Sequence, residues 1–208
     1  MNRTVTDSAR ATTSPYWLWL VLALPAIYWL GGYWRDALSY GEFLHASGEL
    51  GARLLILAMA ATPLQMLLPR LSLTRWLLRH RRPIGVAAFG YSALHALAYL
   101  QRKADLARIL DDAREVGMWT GWLALVLLLL LAITSSDAAV RMLRRAWKKL
   151  HRWVYPAAML TYLHWLLSAF EPLPASLHFV PLAALEAYRI WTRYFLRRHQ
   201  RGDHAENS

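Results

Sequence analysis

The sequence predicts an all-α integral membrane protein, a six-transmembrane-helix bundle with its N- and C-termini cytoplasmic. Three observations carry that expectation. Hydrophobic residues make up 57% of the 208 positions, apolar runs recur at about the 17 to 25 residues that cross a bilayer, and basic residues crowd into alternate connections. Among the 11 tryptophans, Trp17, Trp19, Trp34, Trp119, Trp153 and Trp191 fall near the ends of those runs, where an aromatic belt belongs.

Taken in order, the runs are Tyr16 to Trp34, Leu54 to Pro69, Pro83 to Gln101, Val116 to Ser136, Trp153 to Phe170 and Pro172 to Leu196. The first is longer than a signal-peptide core and is followed by no A-x-A-like cleavage site, so it reads as a retained span. The sixth is interrupted by Glu186 and Arg189, whose long side chains reach toward the headgroups. Residues 1–15 form a polar cytoplasmic lead-in, 16–196 a single membrane domain, and 197–208 a polar cytoplasmic tail. No connection is long enough to fold a separate soluble domain.

A net charge of +11 suggests nucleic acid until its distribution is examined. One side of the predicted bundle holds 18 basic residues against five acids, the other six against eight. That is a topology signal, with the bilayer rather than nucleic acid as partner, and it places both termini in the cytoplasm. Within the inner connection Ala138 to Leu150, Ala139, Met142, Leu143, Ala146 and Leu150 follow helical spacing while Arg141, Arg144, Arg145, Lys148 and Lys149 fill the opposite face. This predicts one amphipathic helix on the membrane surface, serving either anionic lipid or an acidic cytosolic redox partner.

The chain has no cysteine, which excludes disulfides, thiolate haem ligation, cysteine-held iron–sulfur clusters and covalent haem attachment. Histidine at bilayer depth is then the informative residue, because an ionisable or metal-binding side chain is costly there. With a rise of about 1.5 Å per residue, His95 lies about 18 Å along the third span from Pro83, and His164 about 21 Å along the fifth from Leu150. Both spans run outward, so the two imidazoles share one depth in the outer half, as two axial ligands of one haem require.

His151 lies about 20 Å inward of His164 on the same rise, and about 140° away around an ideal helix. It reads either as a ligand to a second haem, with Pro156 bending the helix between the two histidines, or as a bystander. His80 precedes Pro83 in a basic connection and reads as an exposed loop residue. His45 and His178 belong to the outer ends of their spans, His199 and His204 to the tail. Arg53 stands four residues after Glu49, a spacing for an ion pair, and is also placed to meet a haem propionate.

These residues bring a family into view. Thr62-Pro63-Leu64, Arg81-Arg82-Pro83-Ile84-Gly85 leading through Phe89 and Tyr91 to Leu94-His95, then Thr134-Ser135, Trp147, Leu150-His151-Arg152, Val154-Tyr155 and Leu163-His164 together resemble the ferric reductase-like transmembrane family. The resemblance implies six helices holding one or two b-type haems, with His95, His151 and His164 as the haem-associated histidines. It implies a multi-pass protein of the bacterial inner membrane that passes electrons from a cytosolic flavin reductase or membrane quinone to a periplasmic molybdopterin-containing reductase of oxidised methionine. Some members are described as binding FMN; no residue here maps to that flavin. Glu115-Val116-Gly117-Met118 departs from the basic residue and Pro-Tyr expected at that place, which admits another periplasmic oxidoreductase as acceptor. No Gly-rich dinucleotide loop occurs, so the expectation is an electron-transfer subunit with no substrate turnover of its own. The competing class is a haem-free transporter or channel that uses the buried histidines.

Overall fold

The computed structural model describes residues 16–168 and 173–206, with side chains through Tyr194. The lead-in 1–15, the connection holding Glu171, and the side chains of Arg197, Arg198, His199, Arg201 and His204 lie outside the described residues. What is described is helical: α1 (Tyr16–Trp34), α2 (Tyr40–Leu67), α3 (Ser72–Lys103), α4 (Leu106–Asp112), α5 (Val116–Ile133), α6 (Asp137–Leu143), α7 (Arg145–Leu150), a 3-10 turn (His151–Trp153), α8 (Val154–Ser168) and α9 (Leu173–Glu206). Four of them, α1, α2, α3 and α5, are long and apolar enough to cross a membrane. α8 has 15 residues. α9 has 34, and within it Arg189 pairs with Glu186 at 2.8 Å and donates to the Tyr155 hydroxyl of α8.

Two helices start well before the apolar runs that predicted them. α2 begins at Tyr40 because Ser39 and Glu42 close a capping box, each side chain accepting from the other's backbone N–H. α3 begins at Ser72, so Pro83 sits inside the helix and not in its first turn, and His80 is not an exposed loop residue. His80 is buried and donates Nδ1–H to the Trp76 carbonyl at 2.8 Å. The helix continues through this charged stretch because its charges find partners: Arg81 donates to Thr62 at 3.2 Å and Arg82 pairs with Asp137. The hydropathy pattern ends where the charges begin, and the helix does not.

The single surface helix expected over 138–150 is two short ones. Arg144 separates α6 from α7 with φ 46 and ψ −113, a conformation that costs a non-glycine residue on the order of 1–3 kcal/mol. Beyond the break, Trp147 turns inward and donates its indole N–H to the Thr134 carbonyl at 2.9 Å.

The core lies between α2, α3, α5 and α8 and is built of small and branched residues, with Ala61, Ala88 and Ala157 fully buried and Leu55 and Ile84 nearly so. α2 and α3 pack as a close antiparallel hairpin. At Gly51 an added Cβ would stand 3.0 Å from Ser92 Oγ and 3.3 Å from the Ala88 carbonyl, the close backbone approach that small residues permit in membranes.

Among the described residues the polar attachment of α1 runs through Tyr91. Pro25 disturbs the ladder of this helix, and the Tyr91 hydroxyl of α3 enters at the opened position, donating to the Leu22 carbonyl at 2.6 Å and accepting from the Ala26 N–H at 3.1 Å. Those are the two backbone groups an uninterrupted helix would join to each other. Tyr91→Phe leaves both without this partner in an apolar setting. The expected loss is about 0.6–1.7 kcal/mol, read as a lower unfolding midpoint in detergent; an unchanged midpoint would contradict this account of α1.

Candidate functional site

At one end of the bundle α2, α3, α5 and α8, with the start of α9, enclose a cavity of about 740 Å³. His95 enters it from α3 and His164 from α8. The two rings come together: their centroids are 6.0 Å apart and the ring planes meet at 83°.

Each ring is held in the same way by the helix facing it. His95 Nδ1 lies 2.9 Å from the Leu44 carbonyl of α2, and His164 Nδ1 lies 2.6 Å from the Gly117 carbonyl of α5. A carbonyl only accepts, so in both rings Nδ1 carries the proton and Nε2 keeps its lone pair. Four residues beyond each carbonyl stands a glycine. A Cβ on Gly48 would be 2.7 Å from His95 Nδ1, and one on Gly121 would be 2.6 Å from His164 Nδ1. In a helix, residue n+4 covers the carbonyl of residue n, and glycine there opens the carbonyl to an imidazole from the neighbouring helix.

The arrangement suits a metal centre that takes two imidazoles. A ligating nitrogen sits about 2 Å from its metal and roughly 1 Å from its own ring centre, so two rings on opposite sides of one metal have centroids about 6 Å apart. Among the described residues no three of His, Cys, Asp and Glu converge to hold a bare ion. Apolar Ala124, Leu125 and Leu128 line its deeper part.

Residues 47–162 match the family described as ferric reductase like transmembrane component. The chain belongs to the ferric reductase-like transmembrane family. Among its relatives are proteins named protein-methionine-sulfoxide reductase heme-binding subunit MsrQ. The one from Azospira oryzae is 35% identical over 185 residues, covering 85% of this chain and 78% of that protein. The one from Rhizobium meliloti is 35% identical over 192 residues, covering 89% and 87%, and one from Xanthomonas campestris 35% over 162, covering 76% and 72%. No solved structure matches the chain.

In this family member the other residues singled out from sequence stand apart from the pair. His151 does not line the cavity. It occupies the 3-10 turn, stacked on Trp147 at 3.9 Å and 26°, with Nε2 3.5 Å from Ser135 Oγ and a buried Nδ1 that has no partner among the described residues. Burial, reinforced by Arg82 and Arg81, holds it below the ordinary histidine range. Arg53 makes the expected ion pair with Glu49, at 2.6 Å, and donates Nε–H to His178 Nε2 at 3.2 Å. It too is absent from the cavity lining, whereas Glu49 and His45 belong to it. Charge at the cavity lining therefore comes from Glu49, whose carboxylate lies 3.7 Å from His45 Nε2. Trp165 lines the cavity as well, its ring 5.4 Å from His178.

Sequence reasoning missed Gly48, Gly117 and Gly121. The spacing Gly117-x-x-x-Gly121 is a readable sign of close helix approach, and a Cβ on Gly117 would indeed stand 2.9 Å from Ser168 Oγ of α8. The carbonyls of Leu44 and Gly117 leave no sign in sequence.

Tyr99, on the cavity wall, ties the wall to α4 outside the span. Its hydroxyl donates to Asp112 Oδ2 at 2.7 Å, and Lys103 Nζ lies 2.6 Å from the same oxygen. The hydrogen bond from Lys103, then that from Tyr99, holds the Asp112 carboxyl below its ordinary value of 3.8. The contact is therefore present at neutral pH and through the ordinary carboxylate range, and is lost only as pH falls through the depressed value. Hydrogen exchange of the α4 amides is expected to rise in Asp112→Asn at neutral pH, and in the native chain only in stronger acid. Equal protection in variant and native chains would contradict the role of this contact.

Proposed function

We propose that this chain is a haem b-containing electron-transfer subunit of the bacterial inner membrane, in which His95 and His164 would together hold one haem in the cavity. The observation that carries the proposal is the pair of imidazoles bonded through Nδ1 to facing carbonyls, their centroids 6.0 Å apart in a cavity of about 740 Å³. The names of the MsrQ relatives, which state haem binding and a methionine sulfoxide reductase, support it.

When bound, such a group supplies reversible one-electron iron chemistry. The chain's own residues set the conditions for it. Leu44 and Gly117 fix each imidazole's tautomer and raise its basicity through the Nδ1–H bond. Gly48 and Gly121 leave each ring its place. The apolar inner wall excludes water, and His45 and Glu49 meet solvent at the rim.

Six spans, with α8 and α9 completing the bundle and both termini cytoplasmic, put this cavity toward the periplasm. Electrons then arrive from a cytoplasmic-side donor, a flavin reductase or a quinol, and leave to a periplasmic molybdopterin-containing methionine sulfoxide reductase. His151 lies on the inner side, outside the ligand pair.

Expression with haem available is expected to give an intense Soret band and about one haem per chain, the stoichiometry of a single two-imidazole site. His95→Ala and His164→Ala are each expected to abolish it and His151→Ala to keep it, by pyridine haemochromogen assay. Haem retained in both cavity variants would overturn the assignment. Gly121→Val, which fills the space of the His164 ring without touching its chemistry, is expected to lose haem as His164→Ala does. Full loading of Gly121→Val would contradict the role given to that glycine.

A further inference from the structure

The inner face carries a second feature that the cavity does not use. Arg141, Arg144, Arg145, Lys148, Lys149 and Arg152 are all exposed on α6, α7 and the 3-10 turn. Among the described residues none of them pairs with an acid. The one acid of the segment, Asp137, is held by Arg82.

Two occupants suit such a patch, an anionic bilayer surface or an acidic protein. A helix lying on a membrane needs an apolar face turned down into the lipid. Here that face is used within the bundle. Ala139 is buried, and Leu143, Trp147 and Leu150 are half-buried. Trp147 is further fixed by its bond to Thr134 and its stack on His151. Met142 is the one large apolar side chain of α6 and α7 left exposed. The backbone break at Arg144 also divides the two short helices, so their cations do not form one continuous stripe beside an apolar one. What remains is a charged, largely non-lipophilic surface. Directly beneath it lies the Trp147–His151 stack.

We infer that the basic surface of α6 and α7 is the docking site for a soluble electron-donor protein whose one-electron carrier lies within an acidic face, with Trp147 and His151 as the first groups beneath the contact. In each transfer one electron leaves the donor's reduced carrier and is taken up by the haem of this chain, with no bond made or broken and no proton required. The inference rests on the haem reading and on the cytoplasmic placement of this face. Long-range attraction between the unpaired cations and an acidic donor raises the encounter rate and is screened by salt.

The test uses the full, haem-loaded chain in nanodiscs of zwitterionic lipid, with reduced plant-type ferredoxin, an acidic [2Fe–2S] protein, as the probe. Soret absorbance follows reduction in stopped flow. Arg145→Gln/Lys148→Gln/Lys149→Gln is expected to lower the second-order rate constant about tenfold or more at low salt, with the difference vanishing at high salt. The control, Arg70→Gln/Arg75→Gln/Arg79→Gln, removes as many cations from another part of the same side and is expected to stay within about twofold of the native chain. Dithionite reduces all three proteins fully if they are folded and loaded. A rate insensitive to salt, or an equal loss in both triple variants, overturns the docking surface alone. So does a loss that appears only when phosphatidylglycerol is included in the disc. The absence of any dithionite-reducible Soret band instead fails the haem reading beneath it.

Discussion

Each cavity histidine gives its Nδ1–H to a backbone carbonyl on the facing helix, and that carbonyl is reachable because the residue four positions on is glycine. The two instances, His95 on Leu44 and Gly48 and His164 on Gly117 and Gly121, are built from different helix pairs and repeat one geometry. An imidazole buried among apolar helices needs a hydrogen-bond partner, and a helix carbonyl already engaged in its own ladder still has a second lone pair to offer. This constraint sets how closely α2 approaches α3 and α5 approaches α8. It also sets which ring nitrogen faces the cavity. The proposed cofactor chemistry follows from that orientation.

The molecule is unequal across its thickness. The half that holds His95 and His164 is opened by the cavity, while the other half is closed by apolar side chains, mostly alanines and leucines, drawn from α2, α3, α5, α8 and α9. On the far side of that packed layer from the cavity polar groups gather again: Arg81 with Thr62, Arg82 with Asp137, and His151 against Trp147 and Ser135. Many of the residues through which the sequence resembles its family fall in these two places.

The pairing of His95 with His164 was legible because it depends on quantities that sequence carries: helix rise, span direction and the alternation of basic loops. Arg53 with Glu49 was legible for the same reason, as an i,i+4 spacing. The support under the histidines was not, because its acceptors are backbone carbonyls that any residue provides, and a glycine in a helix has several other uses. The start of α3 was misplaced because hydropathy falls at Arg79 to Arg82, where the helix persists through side-chain partners on α2 and α6 that sequence does not place. The break at Arg144 was hidden by periodicity itself. The spacing of Ala139, Met142, Leu143 and Ala146 fits one helix, and only the inward demand of Trp147 ends it.

His95 and His164 would together hold one haem iron, with their ring planes close to perpendicular, at 83°, as found here. Electron paramagnetic resonance of the oxidised, purified chain tests it most directly, since ligand field and ring orientation both shape the ferric signal. Two imidazoles in crossed planes are expected to give a low-spin ferric signal of the strongly anisotropic kind. A high-spin axial signal, showing a single protein ligand, or a low-spin signal of the kind given by parallel imidazole planes would contradict it.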